Sequence, residues 1–408
     1  MSPFSLVPIL PIIALALVTI SLISRAIPIL VPEGHYGRID GMRGYLAFFV
    51  FLHHSSIWYL RLKYHYWGLP PSNLYSHFGP TSVAFFFMIT AFLFFGKLLH
   101  ARSQGTDWTR LYVARAFRIL PLYWAVTMIV FLIVFILSGF RLFLSVGNVV
   151  TEMVEWLVFM NPDVNGLGGT GLIIAGITGS LAFEWLFYFT LPFIALVYPK
   201  LKAPTSILVG AVILLLFFIY VINQYYPHLA VLRVLWFVGG IISALLIRNE
   251  HVRELAASKE CSFFILVILG IAIYFFPTID SEVPLICVMI VFIAIACGNT
   301  LFGILTSGIS KKFGQISYSI FVLHGLLLFI TFQFLVGPAK AINISALEYW
   351  GIIAVIGVVL VCLSVLSYTY IELPMIKSAP EVSAKIEVGL KGRKQSGLVS
   401  GRRSWRGD

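Results

Sequence analysis

The sequence Arg38-Ile39-Asp40-Gly41-Met42-Arg43-Gly44 leads into an apolar run that extends from Tyr45 to the histidine pair His53 and His54. Arg43 and His54 are eleven residues apart, which at ~100° per residue is three turns plus roughly 20°, so a helix places both on one face. The rise between them is roughly 16 Å. His53 is turned about 80° away and is the weaker candidate. The pattern predicts a cation at one end of a membrane helix and a titratable base deeper in it.

Composition indicates an all-α polytopic membrane protein. The 408 residues are 60% hydrophobic and 11% charged, whereas soluble domains carry about 25% charged residues. The four cysteines lie in or beside apolar segments without CxxC spacing, so neither a disulfide framework nor a metal site is predicted.

Eleven apolar runs are long enough to approach a ~30 Å hydrocarbon layer. They lie at 5–24, 43–60, 80–99, 119–138, 181–198, 204–222, 230–247, 262–276, 283–297, 315–335 and 348–371. The first is predicted to be an uncleaved helix rather than a signal peptide. A weaker apolar stretch at 149–160 and the Gly-rich segment 165–179 are interpreted as an interfacial or re-entrant loop, and an additional pair of spans is the alternative.

The distribution of positive charge predicts the orientation. If the segment before residue 43 is cytoplasmic, all but five of the 28 Lys and Arg residues fall on the cytoplasmic side, as the positive-inside rule requires. The formal net charge of +11 is thereby explained by topology, and no nucleic-acid partner is predicted. The five exceptions are Arg61, Lys63, Arg141, Arg233 and Lys340.

Two arginines follow the loop after residue 97. Arg115 and Arg118 are three residues apart and share a helical face, and guanidinium groups bind phosphate oxygens bidentately. They are interpreted as phosphate ligands, with ordinary positive-inside charge as the alternative. With Arg43 they can hold a phosphate-bearing donor whose far end reaches His54, which then acts as general base on a hydroxyl.

Three further ionisable residues lie within apolar segments, where such groups usually have a partner or a function. Glu184 is expected to orient an acceptor sugar, to pair with His54, or to form a structural ion pair with Arg233. His324 is interpreted as forming an interhelical hydrogen bond. Glu372 is expected to capture a cytoplasmic arginine.

Six short motifs follow one another along residues 38–376. They are Arg38-Ile-Asp-Gly-Met-Arg-Gly44 with the later His53-His54, Phe85-Phe-Phe-Met-Ile-Thr-Ala-Phe-Leu93, Arg115-Ala-Phe-Arg-Ile-Leu-Pro-Leu-Tyr-Trp124, Ser180-Leu-Ala-Phe-Glu-Trp-Leu-Phe-Tyr188, Ile316-Ser-Tyr-Ser-Ile-Phe-Val-Leu-His324, and Glu372-Leu-Pro374. In order and spacing they resemble the membrane acyltransferase-3 family.

The resemblance implies a ten-helix core that moves an acyl group, often acetyl, from cytoplasmic acyl-CoA to a cell-envelope glycan such as O-antigen or exopolysaccharide. It implies an integral protein of the bacterial inner membrane with a cytoplasmic carboxyl terminus. The resemblance implies that the functional positions of the family correspond here to Arg43 and His54, to the pair Arg115 and Arg118, and to Glu184. The other motif residues that we consider supporting are Asp40, His53, Ser317, Tyr318, His324 and Glu372.

The chain departs from the family pattern at several positions. Trp185 stands where a second acid is usual, and Thr90-Ala91 stand where Ser-Gly is usual. An additional helix in residues 1–37 precedes the core, 38–376, and would place the amino terminus outside. A basic tail, 377–408, is predicted to be disordered and cytoplasmic. The fused esterase-like domain of some members is absent, which implies direct transfer or a separate extracytoplasmic partner.

Three classes of function therefore compete. The first is O-acyl transfer, with His54 and Glu184 catalytic, Arg43, Arg115 and Arg118 binding acyl-CoA, and no metal. The second is a transporter or flippase with a His/Glu proton relay, for which an internal repeat would be expected and none is evident. The third is a non-catalytic envelope scaffold.

Overall fold

The chain is mainly helical in the part that the structure, a computed structural model, describes. The described residues are 3–31, 36–100, 106–196, 204–226 and 232–403. No β-strand occurs within these ranges. The predicted all-α polytopic class is confirmed, since a chain in lipid must satisfy its backbone polar groups internally and a helix does so within one segment.

Eighteen α-helices follow one another in these ranges. They are α1 Ile9–Ala26, α2 Gly37–Tyr64, α3 Asn73–Phe78, α4 Pro80–His100, α5 Trp108–Leu137, α6 Val146–Leu157, α7 Thr178–Leu196, α8 Thr205–Tyr225, α9 Leu232–Leu235, α10 Val238–Leu246, α11 Glu250–Ala257, α12 Lys259–Phe275, α13 Glu282–Cys297, α14 Gly308–Gln315, α15 Ser317–Ile330, α16 Pro338–Ala341, α17 Ala346–Ser367 and α18 Leu373–Arg403.

Seven helical segments of the described chain are long and apolar enough to cross a membrane, or eight if the bent pair α11 and α12 is one span. The bend between these two helices is 75°. Two further apolar helices, Arg233–Leu246 and Glu282–Cys297, are shorter. The helix α2 has 28 residues but a low mean hydropathy, because it carries charged residues at both ends, yet most of its apolar residues are buried.

Close backbone packing fixes the start of α2. A Cβ atom at Gly41 would lie 1.9 Å from the carbonyl oxygen of Leu305, and one at Gly44 would lie 2.6 Å from the backbone carbon of Phe313. Only glycine permits this approach, which presses one face of α2 against α14 and the short 3₁₀ helix before it. Arg43, between these glycines in sequence, consequently lies on another face and lines a cavity.

The chain from α6 to the start of α7 does not cross the membrane. The helix α6 has 12 residues, too few for the hydrocarbon layer, and it is followed by a loop with a 3₁₀ turn at Thr170–Ile174. This turn packs against α15, where a Cβ atom at Gly325 would lie 2.4 Å from the backbone carbon of Ile174. The loop interpretation of 149–179 therefore fits better than an additional pair of spans.

The two ends of the chain are helical where they are described. The amino-terminal helix α1 packs against α17. The helix α18 continues to Arg403, and the disorder of the tail remains a prediction. Residues 381–388 are free of glycine and proline, and Glu381 and Lys385 form an ion pair of 2.7 Å one turn apart, which favours a helix. Residues 404–408 lie outside the described ranges.

Replacing Gly41 by alanine tests the close packing of α2. Gly41→Ala should lower the free energy of unfolding by roughly 1–3 kcal/mol, the usual cost of overpacking, because the new methyl group meets the Leu305 carbonyl. Gly351→Ala on α17 is the matched control, since nothing lies within 4 Å of a Cβ there, and it should leave stability equal or slightly higher. Thermal unfolding in detergent measures both, and equal melting temperatures would contradict the packing.

Candidate active site

A cavity of about 280 Å³ lies where six helices, α2, α4, α5, α7, α15 and α18, meet. Its polar lining comes from α2, α5, α7 and α15, and α4 contributes apolar and hydroxyl side chains. Phe86 and Tyr318, which both line it, also pack against each of the two main hydrophobic clusters of the protein. The charged and phenolic side chains that line it are Arg43, Arg115, Arg118, Glu184 and Tyr318. We call this the arginine cavity.

The arginine cavity has an excess of positive charge and unused hydrogen-bond donors. Nη2 of Arg118 is buried without a hydrogen-bond partner, and so is the hydroxyl of Ser317. Arg115 lies over the ring of Phe94, with its Cζ 4.7 Å from the ring centroid. Buried donors are nearly always paired, and guanidinium groups match phosphate and carboxylate oxygens. The arrangement fits an anionic ligand, as predicted for these arginines.

Glu184 faces the arginines rather than the histidines. Its Oε1 accepts hydrogen bonds from the hydroxyls of Tyr188 and, at 3.4 Å, Thr90. It makes no ion pair with Arg233, whose guanidinium lies over the ring of Trp236 at 5.0 Å, and it does not contact His54. Both predicted pairings of Glu184 are thus wrong, because α7 turns this carboxylate toward α4 and α5. Tyr188, four residues later on the same face, was recognisable from that spacing alone.

The partner of His54 is His324. The Nδ1 atom of His54 lies 3.0 Å from Nε2 of His324 and 3.1 Å from the carbonyl oxygen of Val50. The Nδ1 atom of His324 lies 2.7 Å from the carbonyl oxygen of Phe321. The interhelical hydrogen bond expected of His324 is present, and it joins α2 to α15.

These contacts assign the tautomers of the neutral pair. A carbonyl oxygen only accepts hydrogen bonds, so Nδ1 of His324 carries its proton and Nε2 has a lone pair. That lone pair accepts the proton of Nδ1 on His54, which leaves Nε2 of His54 unprotonated. Within the described residues that Nε2 has no hydrogen-bond partner. The pair therefore presents a free base on a half-buried imidazole.

His54 does not line the arginine cavity. The lining of the cavity includes Phe86 and Phe321, whose ring centroids are 6.0 Å apart. The ring of Phe321 lies 6.0 Å from that of His324, one helical turn along α15. Arg43 and His54 belong to one helix, as expected, but only Arg43 lines the arginine cavity. Phe321 therefore borders both the cavity and the histidine pair.

Asp40 and His53 lie away from the cavity lining. The Nδ1 atom of His53 is 2.7 Å from the carbonyl oxygen of Tyr75, and this buried contact ties α2 to α3. Asp40 lies three residues before Arg43 on α2. Ser317 and Tyr318 line the arginine cavity, and the Tyr318 hydroxyl donates to the carbonyl oxygen of Ile119 at 2.6 Å.

Glu372 lies in a π-helical segment, Tyr368–Glu372, between α17 and α18. Its side chain is 1% exposed, its Oε1 accepts a hydrogen bond from Ser319, and its Oε2 has no partner. Arg118 and Arg43 act on it through charge, but it forms no ion pair within the described ranges. The expected capture of an arginine by direct contact is therefore not observed.

A comparison with known protein families identifies the family of the chain. Residues 36–369 match the family described as "Acyltransferase domain", the acyltransferase-3 family. The chain belongs to the acyltransferase-3 family. It is a membrane acyltransferase that transfers groups other than amino-acyl groups. No curated protein and no solved structure matches the chain.

Within the described ranges, no three His, Cys, Asp or Glu side chains come together to hold a metal ion. The two histidines that contact each other have no carboxylate or thiol beside them.

The tautomer of His54 is open to direct measurement. In protein labelled with ¹⁵N at histidine, solid-state NMR should show His54 protonated at Nδ1 and unprotonated at Nε2 at neutral pH. The resonance is assigned by its loss in His54→Gln. In His324→Ala, Nδ1 of His54 keeps only its hydrogen bond to the carbonyl oxygen of Val50. The two tautomers of His54 should then both be populated. A His54 protonated at Nε2 in the unaltered protein would contradict the arrangement.

Proposed function

We propose that this acyltransferase moves an acyl group, most often acetyl, from acyl-CoA to a hydroxyl of a cell-envelope glycan such as O-antigen or an exopolysaccharide. The observation that supports this most strongly is the half-buried His54, whose Nδ1 is engaged by His324 at 3.0 Å. Its Nε2 is thereby available as a base. The arginine cavity at the other end of the same helix supplies the charge that the donor phosphates require.

The donor is held by its phosphates. Arg43 and Arg118 bind the pyrophosphate oxygens, and the unpartnered Nη2 of Arg118 supplies one of the hydrogen bonds. Arg115, held over Phe94, completes the positive lining. The pantetheine arm then runs along α2 toward His54, over a rise of roughly 16 Å. The rings of Phe86 and Phe321 rotate aside to admit it.

His54 acts as the general base. Its Nε2 takes the proton of the acceptor hydroxyl while that oxygen forms a bond to the thioester carbonyl carbon. When the carbon–sulfur bond breaks, the imidazolium returns the proton to the sulfur, so that the products are an ester and free CoA. His324 accepts the hydrogen bond from Nδ1 throughout, which keeps Nε2 of His54 in position and stabilises the positive charge.

Glu184 is assigned to positioning rather than to proton transfer. Its carboxylate is held by the hydroxyls of Tyr188 and Thr90 and faces the arginine cavity. A fixed negative charge there limits the repulsion among Arg43, Arg115 and Arg118 before the donor binds. Glu184 thus keeps the guanidinium groups in place for the phosphates.

The orientation follows from the placement of charge. We propose an inner-membrane protein with the arginine cavity open toward the cytoplasm, the carboxyl terminus on the same side, and His54 nearer the outer face. This orientation places acyl-CoA, a cytoplasmic metabolite, on the side of the arginines. The acceptor glycan then approaches His54 from the other side.

A proton-coupled transporter is the weaker candidate. It would need a chain of hydrogen bonds between buried carboxylates and histidines. Glu184 is bonded to Tyr188 and Thr90, and Glu372 to Ser319. Neither carboxylate contacts His54 or His324, so the relay lacks its central step within the described residues.

Replacing His54 by alanine tests the proposed reaction. Purified His54→Ala should lose at least roughly a hundredfold in acyl transfer from acetyl-CoA to an envelope glycan extract, since a general base contributes about 10²–10⁴ in rate. Its affinity for CoA should remain unchanged, because the arginine cavity is intact. Radiolabelled acetyl transfer and equilibrium CoA binding measure the two quantities. Normal turnover in this variant would exclude the mechanism.

The reciprocal variant separates donor binding from chemistry. Arg118→Gln should weaken CoA binding, whereas Arg110→Gln should not. Both substitutions remove one positive charge from α5, but Arg110 is exposed at its start and does not line the cavity. Equal effects of the two variants would mean that only the overall charge matters.

A further inference from the structure

A second cationic group lies at the carboxyl end of α2, away from the arginine cavity. The Cζ atom of Arg61 lies 5.7 Å from the ring centroid of Trp58 and 5.8 Å from that of Trp67. The two indole rings are 5.9 Å apart and nearly perpendicular, at 86°. We call Trp58, Arg61 and Trp67 the indole–guanidinium cluster. None of its members lines the arginine cavity.

Arg61 has cation–π contacts but no anionic partner. Within the described residues it forms no ion pair and no hydrogen bond, although it is only half-exposed. Lys63, two residues later, differs in that its ammonium group donates to the carbonyl oxygens of Ile342 and Ile344. Arg61 is therefore a guanidinium with five unused donors.

A second unused donor lies in the same cluster. The indole nitrogen of Trp58 is buried and has no hydrogen-bond partner, and the side chain is 2% exposed. Buried donors without partners are rare. The buried indole N–H of Trp58 and the half-exposed guanidinium of Arg61, three residues apart on one helix, point to a ligand that brings negatively charged or otherwise accepting oxygens.

The cluster adjoins the proposed base. The ring centroid of Trp67 lies 6.4 Å from that of His54, with the planes inclined by 31°. A molecule that stacks on Trp67 and reaches Arg61 consequently lies beside His54. It approaches from the end of α2 opposite the arginine cavity, which is the side assigned above to the acceptor.

We propose that the indole–guanidinium cluster is the acceptor subsite and that it selects an acidic glycan. The carboxylate or phosphate of the acceptor pairs with Arg61, and an apolar face of a sugar ring packs on Trp67. A hydroxyl of that sugar or of its neighbour then faces His54. The identification of the ligand as the acceptor rests on the proposed function.

An anionic lipid headgroup carries the same charge but fits the cluster less well. A headgroup needs only a cation at the membrane edge. The exposed Lys340 is such a cation at this end of the protein, so the indole rings around Arg61 are not required for headgroup binding. Two aromatic rings around a half-buried guanidinium, with one ring beside the base, match a ring-shaped ligand presented for reaction.

Equilibrium binding in phosphatidylcholine nanodiscs tests the proposal with the full chain. The probes are a short oligogalacturonide and the neutral galactose oligosaccharide of the same length. The unaltered protein should bind the acidic probe at least roughly tenfold more tightly, a difference of about 1.4 kcal/mol. Arg61→Gln should abolish this preference, and Lys340→Gln, which removes one exposed charge at the same end, should retain it.

Three further variants separate the contributions. Arg61→Lys keeps the positive charge but lacks the planar guanidinium donors, and it should retain part of the preference for the acidic probe. This variant also tests the proposal if Arg61→Gln does not fold. Trp67→Leu should weaken both probes and leave their ratio unchanged. His54→Ala should lose acyl transfer while keeping the binding preference, so that a failure of the proposed reaction is distinguished from a failure of the acceptor subsite.

Two outcomes would overturn the proposal. The first is a binding result that does not depend on Arg61. The unaltered protein would bind the two probes equally, or the preference for the acidic probe would survive in Arg61→Gln. The second is that Arg61→Gln reduces the phosphatidylglycerol retained by the purified protein and leaves oligosaccharide binding unaffected. In that case the cluster is a lipid-headgroup site.

Discussion

Uncompensated positive charge inside an apolar helical bundle is the constraint on which the site depends. Arg43, Arg115 and Arg118 line one cavity with a single carboxylate, Glu184. The ion pairs within the described residues all lie on exposed surface. Charge of this kind is costly in a membrane, and a bound anion offsets that cost. The charge of the arginine cavity therefore favours the binding of an anion.

The packing around α2 relates this charge to the proposed base. The close contact at Gly41 holds the start of the helix against Leu305, which directs Arg43 into the cavity. Further along the same helix, His54 meets His324, and Trp67 in the loop that follows α2 lies beside His54. In the proposed function, donor binding, proton transfer and acceptor binding are therefore arranged along α2 and the loop that follows it.

Much of the fold was predictable from sequence, since long apolar runs leave few alternatives to helices. The arginine positions were also predictable, because cations within or beside such runs are uncommon. The hydrogen-bond partners of the site residues were not predictable. His54 and His324 are separated by 270 positions, and sequence alone gives no register between α2 and α15. The position of Phe321, beside both the arginine cavity and His324, was equally hidden, because such aromatic residues are common in every span. The partners of Glu184 were predicted wrongly because the rotation of α7 about its axis depends on packing.

The most direct test is a cryo-EM structure of the protein bound to a non-hydrolysable thioether analogue of acetyl-CoA. We predict pyrophosphate oxygens within ~3.2 Å of Arg43 and Arg118, displaced Phe86 and Phe321 rings, and the acyl carbon beside Nε2 of His54. The contradictory result is the nucleotide bound elsewhere, for example in the crevice lined by Arg38, Arg248 and Arg253, with the arginine cavity unchanged.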